Sequence, residues 1–229
     1  MYAWPLRSLL FLLPPDAAHE LAFAALAPIE HAAWLRRLLL GNAAASFDGA
    51  VGTQVMGLRF PSIVGLAAGF DKNARCPRAL SALGFGHLEL GTVTATPQAA
   101  NPRPNLFRLP ADRALVNRLG FPNDGAVRVA ERLRLVRSEV ATPVGISIGK
   151  SRAVPVEEVD AVVRDYVASF DAVRDVADFV VVNVSSPNTA GLRTMQAREH
   201  ARSLLAALRE RGGSSTRLLV KIAPDLDDA

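Results

Sequence analysis

Cysteine is nearly absent: Cys76 is the only one in 229 residues, so no disulfide can form within the chain. That suits a reducing compartment. Histidine is also scarce. His19, His31, His87 and His200 are dispersed, with no pair at ligand spacing, so no metal centre is expected. Basic runs interleaved with aromatics are missing, and nucleic acid is not an expected partner. No apolar run approaches the ~20 residues that span a bilayer. Residues 9–13 are apolar but stop at Pro14 and Pro15, too short for a typical secretory signal. Neither a Walker loop nor a G-x-G-x-x-G turn after a strand occurs. Lysine is rare as well. Of 26 basic residues only Lys72, Lys150 and Lys221 are lysines, and each sits in a short polar motif after an apolar run. In a chain that otherwise uses arginine, a compact ammonium at those points suggests selection for shape.

Half of the residues are hydrophobic, 21% are charged and the net charge is +4, a composition that folds into a globular domain. Residues 1–40 are rich in Leu and Ala and carry Trp4, Trp34, Phe11 and Phe23. Asp16 is a candidate N-cap for a helix over 17–26. Pro28 precedes a second helix over 29–40, stopped by Gly41 and Asn42. Two short apolar helices with Arg36 and Arg37 beside them suit a membrane-surface anchor, or equally a hairpin packed on the main body.

From about Met56 short apolar strands alternate with helices. Strands are expected over 63–67, 87–90, 143–148, 179–184 and 218–222. Helices are expected over 76–83, 126–136, 156–173 and 199–209. Strands this apolar are covered on both faces, which means a parallel sheet. The spacing fits a (β/α)8 barrel, of which about five strands are present. The acidic stretch 225–229 reads as the start of another helix, so the expectation is a chain that stops in mid-unit.

Polar groups cluster where the strands end: Phe70, Asp71, Lys72 and Asn73, then Thr92 and Thr94, then Lys150 and Ser151, then Ser185 to Thr189, then Lys221 and Asp225. The C-terminal ends of barrel strands form the active-site face. Capping of turns and helices is an equally ordinary role for Asn73 and Ser151. Asn183 and Lys221 lie inside apolar strands, where a polar group is costly unless paired or facing a ligand.

Five motifs carry a resemblance. GLAAGFDKN at 65–73, GFGHLELGTVT at 84–94, NRLGFPN at 117–123, NVSSPNTAGLRTMQ at 183–196 and VKIAPDL at 220–226 occur in order. Together they resemble the membrane-associated, quinone-using dihydroorotate dehydrogenases, and the resemblance runs along the whole chain. It implies a helical extension over 1–45, associated with membrane and quinone, and an incomplete FMN-binding barrel over 46–229. Ala68, Gly69, Phe70, Asp71, Lys72, Thr92, Ser147, Asn183 and Lys221 would contact FMN. Asn117, Arg118, Leu119, Gly120 and Phe121 would hold dihydroorotate or orotate together with Lys72, Asn183 and Asn188. Ser186 would be the catalytic base, where the soluble classes carry Cys. Ser147 departs from the family, which usually has Asn there. The last three strands, on which the family places the flavin phosphate, are not in the sequence.

The implied reaction oxidises dihydroorotate to orotate on the route to pyrimidine nucleotides, with a quinone as final acceptor. The resemblance also implies a monomer lying peripherally on the cytoplasmic side of the cell membrane through its N-terminal helices. An FMN barrel oxidoreductase acting on a pyrimidine with a soluble acceptor is the alternative within enzymes. A truncated product without activity is the alternative outside them.

Overall fold

The computed structural model describes residues 6–46, 52–189 and 191–224. In chain order the elements are α1 (Leu6–Leu12), α2 (Pro15–His31), α3 (Ala33–Ser46), β1 (Thr53–Val55), β2 (Leu58–Phe60), α4 (Pro77–Ala82), β3 (Leu88–Val93), β4 (Leu106–Leu109), β5 (Ala114–Asn117), α5 (Ala126–Val136), β6 (Val144–Ile148), α6 (Val159–Val173), β7 (Phe179–Asn183), α7 (Arg198–Gly212) and β8 (Leu218–Lys221). The expected acidic helix start at 225–229 lies outside the described residues.

The centre is a four-stranded, all-parallel sheet in the order β3-β6-β7-β8. Side chains alternate between its faces. Leu88, Leu90, Ile146, Ile148, Val180 and Val182 point to the helical side. There they meet Val129 and Leu133 of α5, Val162, Tyr166 and Phe170 of α6, and Leu204 and Leu208 of α7, all buried. The opposite, concave face receives Gly91, Ser147 and Asn183.

The expected strand over 63–67 runs beside β3 but forms only one bridge, Leu66 with Leu88. Its hydrogen bonds are those of a parallel neighbour: the Leu66 amide donates to the His87 carbonyl at 2.9 Å and the Glu89 amide to the Leu66 carbonyl at 2.8 Å. The path departs from a regular strand because Ser62 Oγ accepts the Val64 amide and Gly69 sits at φ +113°. At this edge of the sheet Ile63 and Val64 are exposed.

The N-terminal helices differ from the expected boundaries. Pro15 opens α2, which places Asp16 in the first turn instead of at the cap. Pro28 lies inside α2, and Arg36 Nη1 takes the carbonyls of Ile29 and Glu30 near its end, at 3.2 and 2.6 Å. Helix α3 continues through Gly41 and Asn42. These helices dock on the main body through charge as well as apolar packing. Buried Glu30 accepts Arg78 Nε at 2.9 Å and the Ala79 amide at 2.8 Å, while Arg36 and Arg78 both pair with Glu139. Phe23 of α2 stacks on Phe70 at 5.3 Å between ring centroids. Leu12, Leu21, Trp34 and Leu38 remain exposed on the helices. No helix among the described residues is long and apolar enough to cross a membrane.

Two antiparallel hairpins were not expected: β1 with β2, and β4 with β5. The second leads directly into the segment 117–123.

Candidate active site

A bulge builds the centre of the site. Gly91 pairs with Ser147 and Val93 with Ile148, so Thr92 is an extra residue in β3. Gly91 is at φ +103°, and a Cβ there would lie 2.6 Å from the Ser147 carbonyl oxygen. Only glycine permits that approach. The bulge brings the Thr92 and Ser147 hydroxyls to 2.9 Å. From β7, Asn183 Nδ2 donates to Thr92 Oγ1 at 3.0 Å. Asn183 Oδ1 accepts both the amide and the hydroxyl of Ser185, at 3.1 and 2.9 Å. Its main-chain carbonyl accepts the hydroxyl of fully buried Tyr166 at 2.8 Å, and burial pushes that phenol's pKa up. Both side-chain polar atoms of Asn183 and its main-chain carbonyl therefore each have a partner. Lys221 lies opposite Asn183 in the β7–β8 register.

These strand ends open on a cleft of about 240 Å³. Of the expected site residues, it is lined by Ala68, Gly69, Lys72, Thr92, Asn117, Leu119, Gly120, Phe121, Asn183, Ser186, Asn188 and Lys221. Ser185 and Pro187 complete the wall. Lys72 donates to the Gly69 carbonyl at 2.5 Å. Burial holds its pKa below that of an ordinary lysine, an effect partly offset by Asp71 and Asp16. Lys221 is exposed on edge strand β8, so its place in an apolar strand costs less than the sequence suggests. Ser186 is buried, and its Oγ accepts the Asn188 amide at 3.2 Å.

The segment 117–123 forms the roof. Asn188 Nδ2 reaches Asn117 Oδ1 at 3.2 Å, joining it to the loop after β7. Asn123 fastens its far end: Oδ1 accepts the Thr94 and Gly125 amides, and Nδ2 donates to Thr94 Oγ1 at 2.8 Å. Gln98 Nε2 and Arg152 Nη2 both donate to the Gly120 carbonyl, at 2.8 and 3.2 Å. Sequence reasoning missed Gln98 and Arg152. The signal available was weak, since both lie in loops outside the recurring motifs.

Four expected residues do not line the cleft. Phe70 packs against His19 and Phe23 of α2. Asp71 is wholly buried, and its carboxylate accepts the amides of Asn73, Arg75 and Cys76 ahead of α4. Ser147 reaches the cleft only through Thr92. Arg118 turns outward to the Pro104 carbonyl. Asn73 and Ser151 brace distant loops and cap no helix: Asn73 Oδ1 accepts the Asp124 amide and Ser151 Oγ the Thr96 amide. Buried Lys150 donates to the carbonyls of Ser151 and Val154 in its own loop. Among the described residues no cluster of His, Cys, Asp or Glu could hold a metal. Asp225 lies outside the described residues.

A second cleft of about 270 Å³ adjoins the first, with Lys72 and Leu119 common to both walls. Its far side is helix α2, through Asp16, His19 and Phe23.

Residues 50–229 match the family described as Dihydroorotate dehydrogenase. A dihydroorotate dehydrogenase (quinone) from Mycobacterium sp. (strain KMS) is 51% identical over 224 residues, covering 98% of this chain and 61% of that protein. The enzyme of the same description from Mycobacterium tuberculosis (strain H37Rv) is 50% identical over 226 residues, covering 97% and 60%. Among solved structures, DHODH from Eimeria tenella in complex with ferulenol aligns at a TM-score of 0.74 and 34% identity, over 94% of this chain and 61% of that one. The chain thus spans about three-fifths of the length of these relatives.

Proposed function

Since the chain belongs to the dihydroorotate dehydrogenase family, we propose that its cleft binds the ring of FMN and the substrate, and that it serves the oxidation of dihydroorotate to orotate with a quinone as final acceptor. The observation that carries this reading is convergence. Lys72, Thr92 and Lys221, with Asn183 and Ser186 from the end of β7, come from four separate parts of the sheet's rim and line one cleft. The floor also leaves open space at Gly69: the position a Cβ would take has no atom within 4 Å. The Asn183 amide layer and two lysine ammoniums offer hydrogen bonds and positive charge to a heteroaromatic ring. FMN, when bound, supplies the acceptor for the hydride that leaves C6 of dihydroorotate.

The protein's own part is position and proton transfer. Asn117 and Asn188 hold the pyrimidine edge, and Gly120 and Phe121 close over it. Ser186 takes the proton from C5. Serine is a weak base, so its own proton passes on to water as the reaction proceeds. Lys72 stabilises negative charge that grows on the ring. Pro187 lines the cleft and helps to exclude water, whereas Leu192 is buried in the hydrophobic core and does not reach it.

Support for quinone over a soluble acceptor comes from three sources: Ser at 186 instead of Cys, the quinone named in the description of the relatives, and the adjoining cleft under α2. That cleft shares Lys72 with the first and offers an apolar ring an approach between the helices and the flavin. The helices would lie on the cytoplasmic side of the cell membrane, as a peripheral attachment. The test is titration of the purified protein with FMN, followed by flavin fluorescence. Quenching that saturates, and that Asn183→Ala weakens, is expected. Fluorescence unchanged by the protein contradicts the reading.

A further inference from the structure

Helix α6 buries three polar side chains, Asp165, Tyr166 and Ser169, among the apolar Val162, Phe170 and Val173. A buried polar group is costly unless it is bonded. Two of the three reach the strand ends at the mouth of the cleft. Asp165 Oδ2 accepts the Ser151 amide at 2.7 Å, in the loop after β6. The Tyr166 hydroxyl donates to the main-chain carbonyl of Asn183 at 2.8 Å, at the end of β7. Ser169 Oγ has no partner among the described residues. Phe170 fills the same layer without a hydroxyl, so packing alone does not require the phenol of Tyr166.

Its place in the sheet gives that hydroxyl leverage. Strands β6 and β7 pair as far as Ile148 opposite Val182, and Asn183 is the next and last residue of β7. The main-chain amide of Lys150, two residues past the end of β6, acts on the same phenol. One hydroxyl on α6 therefore meets the ends of both strands. In front, the Asn183 amide reaches Thr92 Oγ1 at 3.0 Å across β6. Residue 183 is thus held from the helix layer by its main chain and from the cleft by its side chain. Tyr166 itself is wholly buried and lines no part of the cleft.

We infer that Tyr166 is a positioning residue: through the main chain of Asn183, its hydroxyl aims the Asn183 amide into the cleft and so sets the affinity for the flavin ring. The inference rests on the reading of the cleft as an FMN site. It adds control from the helix layer, by a side chain that no ligand touches.

The test is FMN titration, by flavin fluorescence, of the wild type, Tyr166→Phe, Asn183→Ala and the double variant. Tyr166→Phe should raise the FMN Kd about tenfold, the upper range for one hydrogen bond. In the Asn183→Ala background the same change should have no further effect, because the amide that it aims is gone. Ser169→Ala removes a buried hydroxyl from the same helix face and should leave the Kd unchanged. An unchanged Kd in Tyr166→Phe, equal losses in both backgrounds, or a like loss from Ser169→Ala makes Tyr166 a support of the fold only and overturns the inference. Should Tyr166→Phe not fold, protein made with fluorotyrosine decides by fluorine NMR. The chain has two tyrosines, Tyr2 and Tyr166, and Tyr2→Phe assigns the signals. Saturating FMN should shift the Tyr166 signal in the wild type and leave it in place in Asn183→Ala; a signal unmoved in the wild type, or moved alike in both, overturns the inference. Wild-type protein that does not quench FMN contradicts the FMN reading itself, and the inference falls with it.

Discussion

The side-chain amide of Asn183, at the end of β7, donates to the hydroxyl of Thr92 at 3.0 Å, although 91 residues separate them in sequence. Both are buried, and Thr92 also meets Ser147. One hydroxyl therefore ties three parallel strands together at the mouth of the cleft. Thr92→Val keeps the shape and removes the hydroxyl. It leaves the Asn183 amide without its acceptor, which should cost about 1–3 kcal/mol of folding stability. Urea unfolding checks the stability, and FMN titration should show weaker binding in the same variant.

Asp71 sits beside Lys72 in sequence, yet its carboxylate serves the chain's own amides at Asn73, Arg75 and Cys76. Asp71→Ala should destabilise the fold by about 1–3 kcal/mol, since buried N–H groups lose their acceptor. Protein that remains folded should still take up FMN. A variant of unchanged stability that has lost FMN affinity would show that Asp71 acts on the ligand instead.

Lys72 carries a pH dependence. Burial lowers its pKa from the usual 10.5, with Asp71 and Asp16 opposing. Between the folded and unfolded values the unfolded chain binds more protons, so this group's contribution to stability rises as pH climbs through that window. The positive charge offered to the ring is lost over the same range. Orotate affinity should therefore begin to fall at a pH below the one at which an exposed lysine titrates. Lys72→Met should remove this alkaline limb, and binding titrations across pH read it directly.

Arg152 and Gln98 hold the Gly120 carbonyl in the roof of the cleft. Arg152→Ala removes the charged donor and leaves the amide. The orotate Kd should rise about tenfold, the worth of a charge-assisted hydrogen bond, with FMN affinity unchanged. Equal losses for both ligands would mean that the loop as a whole had collapsed.

Much of this molecule is legible in its residue pattern, and the exceptions have physical causes. Helix α5 occupies the expected 126–136, and the apolar stripe of α6 buries Val162, Tyr166 and Phe170 as its spacing implies. Boundaries moved where residues of the next element intervene, as when Arg36 of α3 donates to the carbonyls near the end of α2. The hairpins escaped notice because β1 and β5 are short and exposed on both faces, which leaves no alternation to read. In the site, the motif residues at strand ends were legible as a group. Asp71 and Ser147 show the limit of that reading: a carboxylate that braces its own loop and one that faces a ligand look alike in a sequence, and only the fold tells them apart.

The proposed chemistry is read most plainly by anaerobic addition of dihydroorotate to the FMN-loaded protein, followed through the visible flavin band. Wild-type protein should bleach on mixing, while Ser186→Ala should retain its flavin and bleach orders of magnitude more slowly. Bleaching at the same rate in both proteins would contradict the role given to Ser186, and a flavin band that dihydroorotate leaves unchanged in the wild type would contradict the proposed reaction itself.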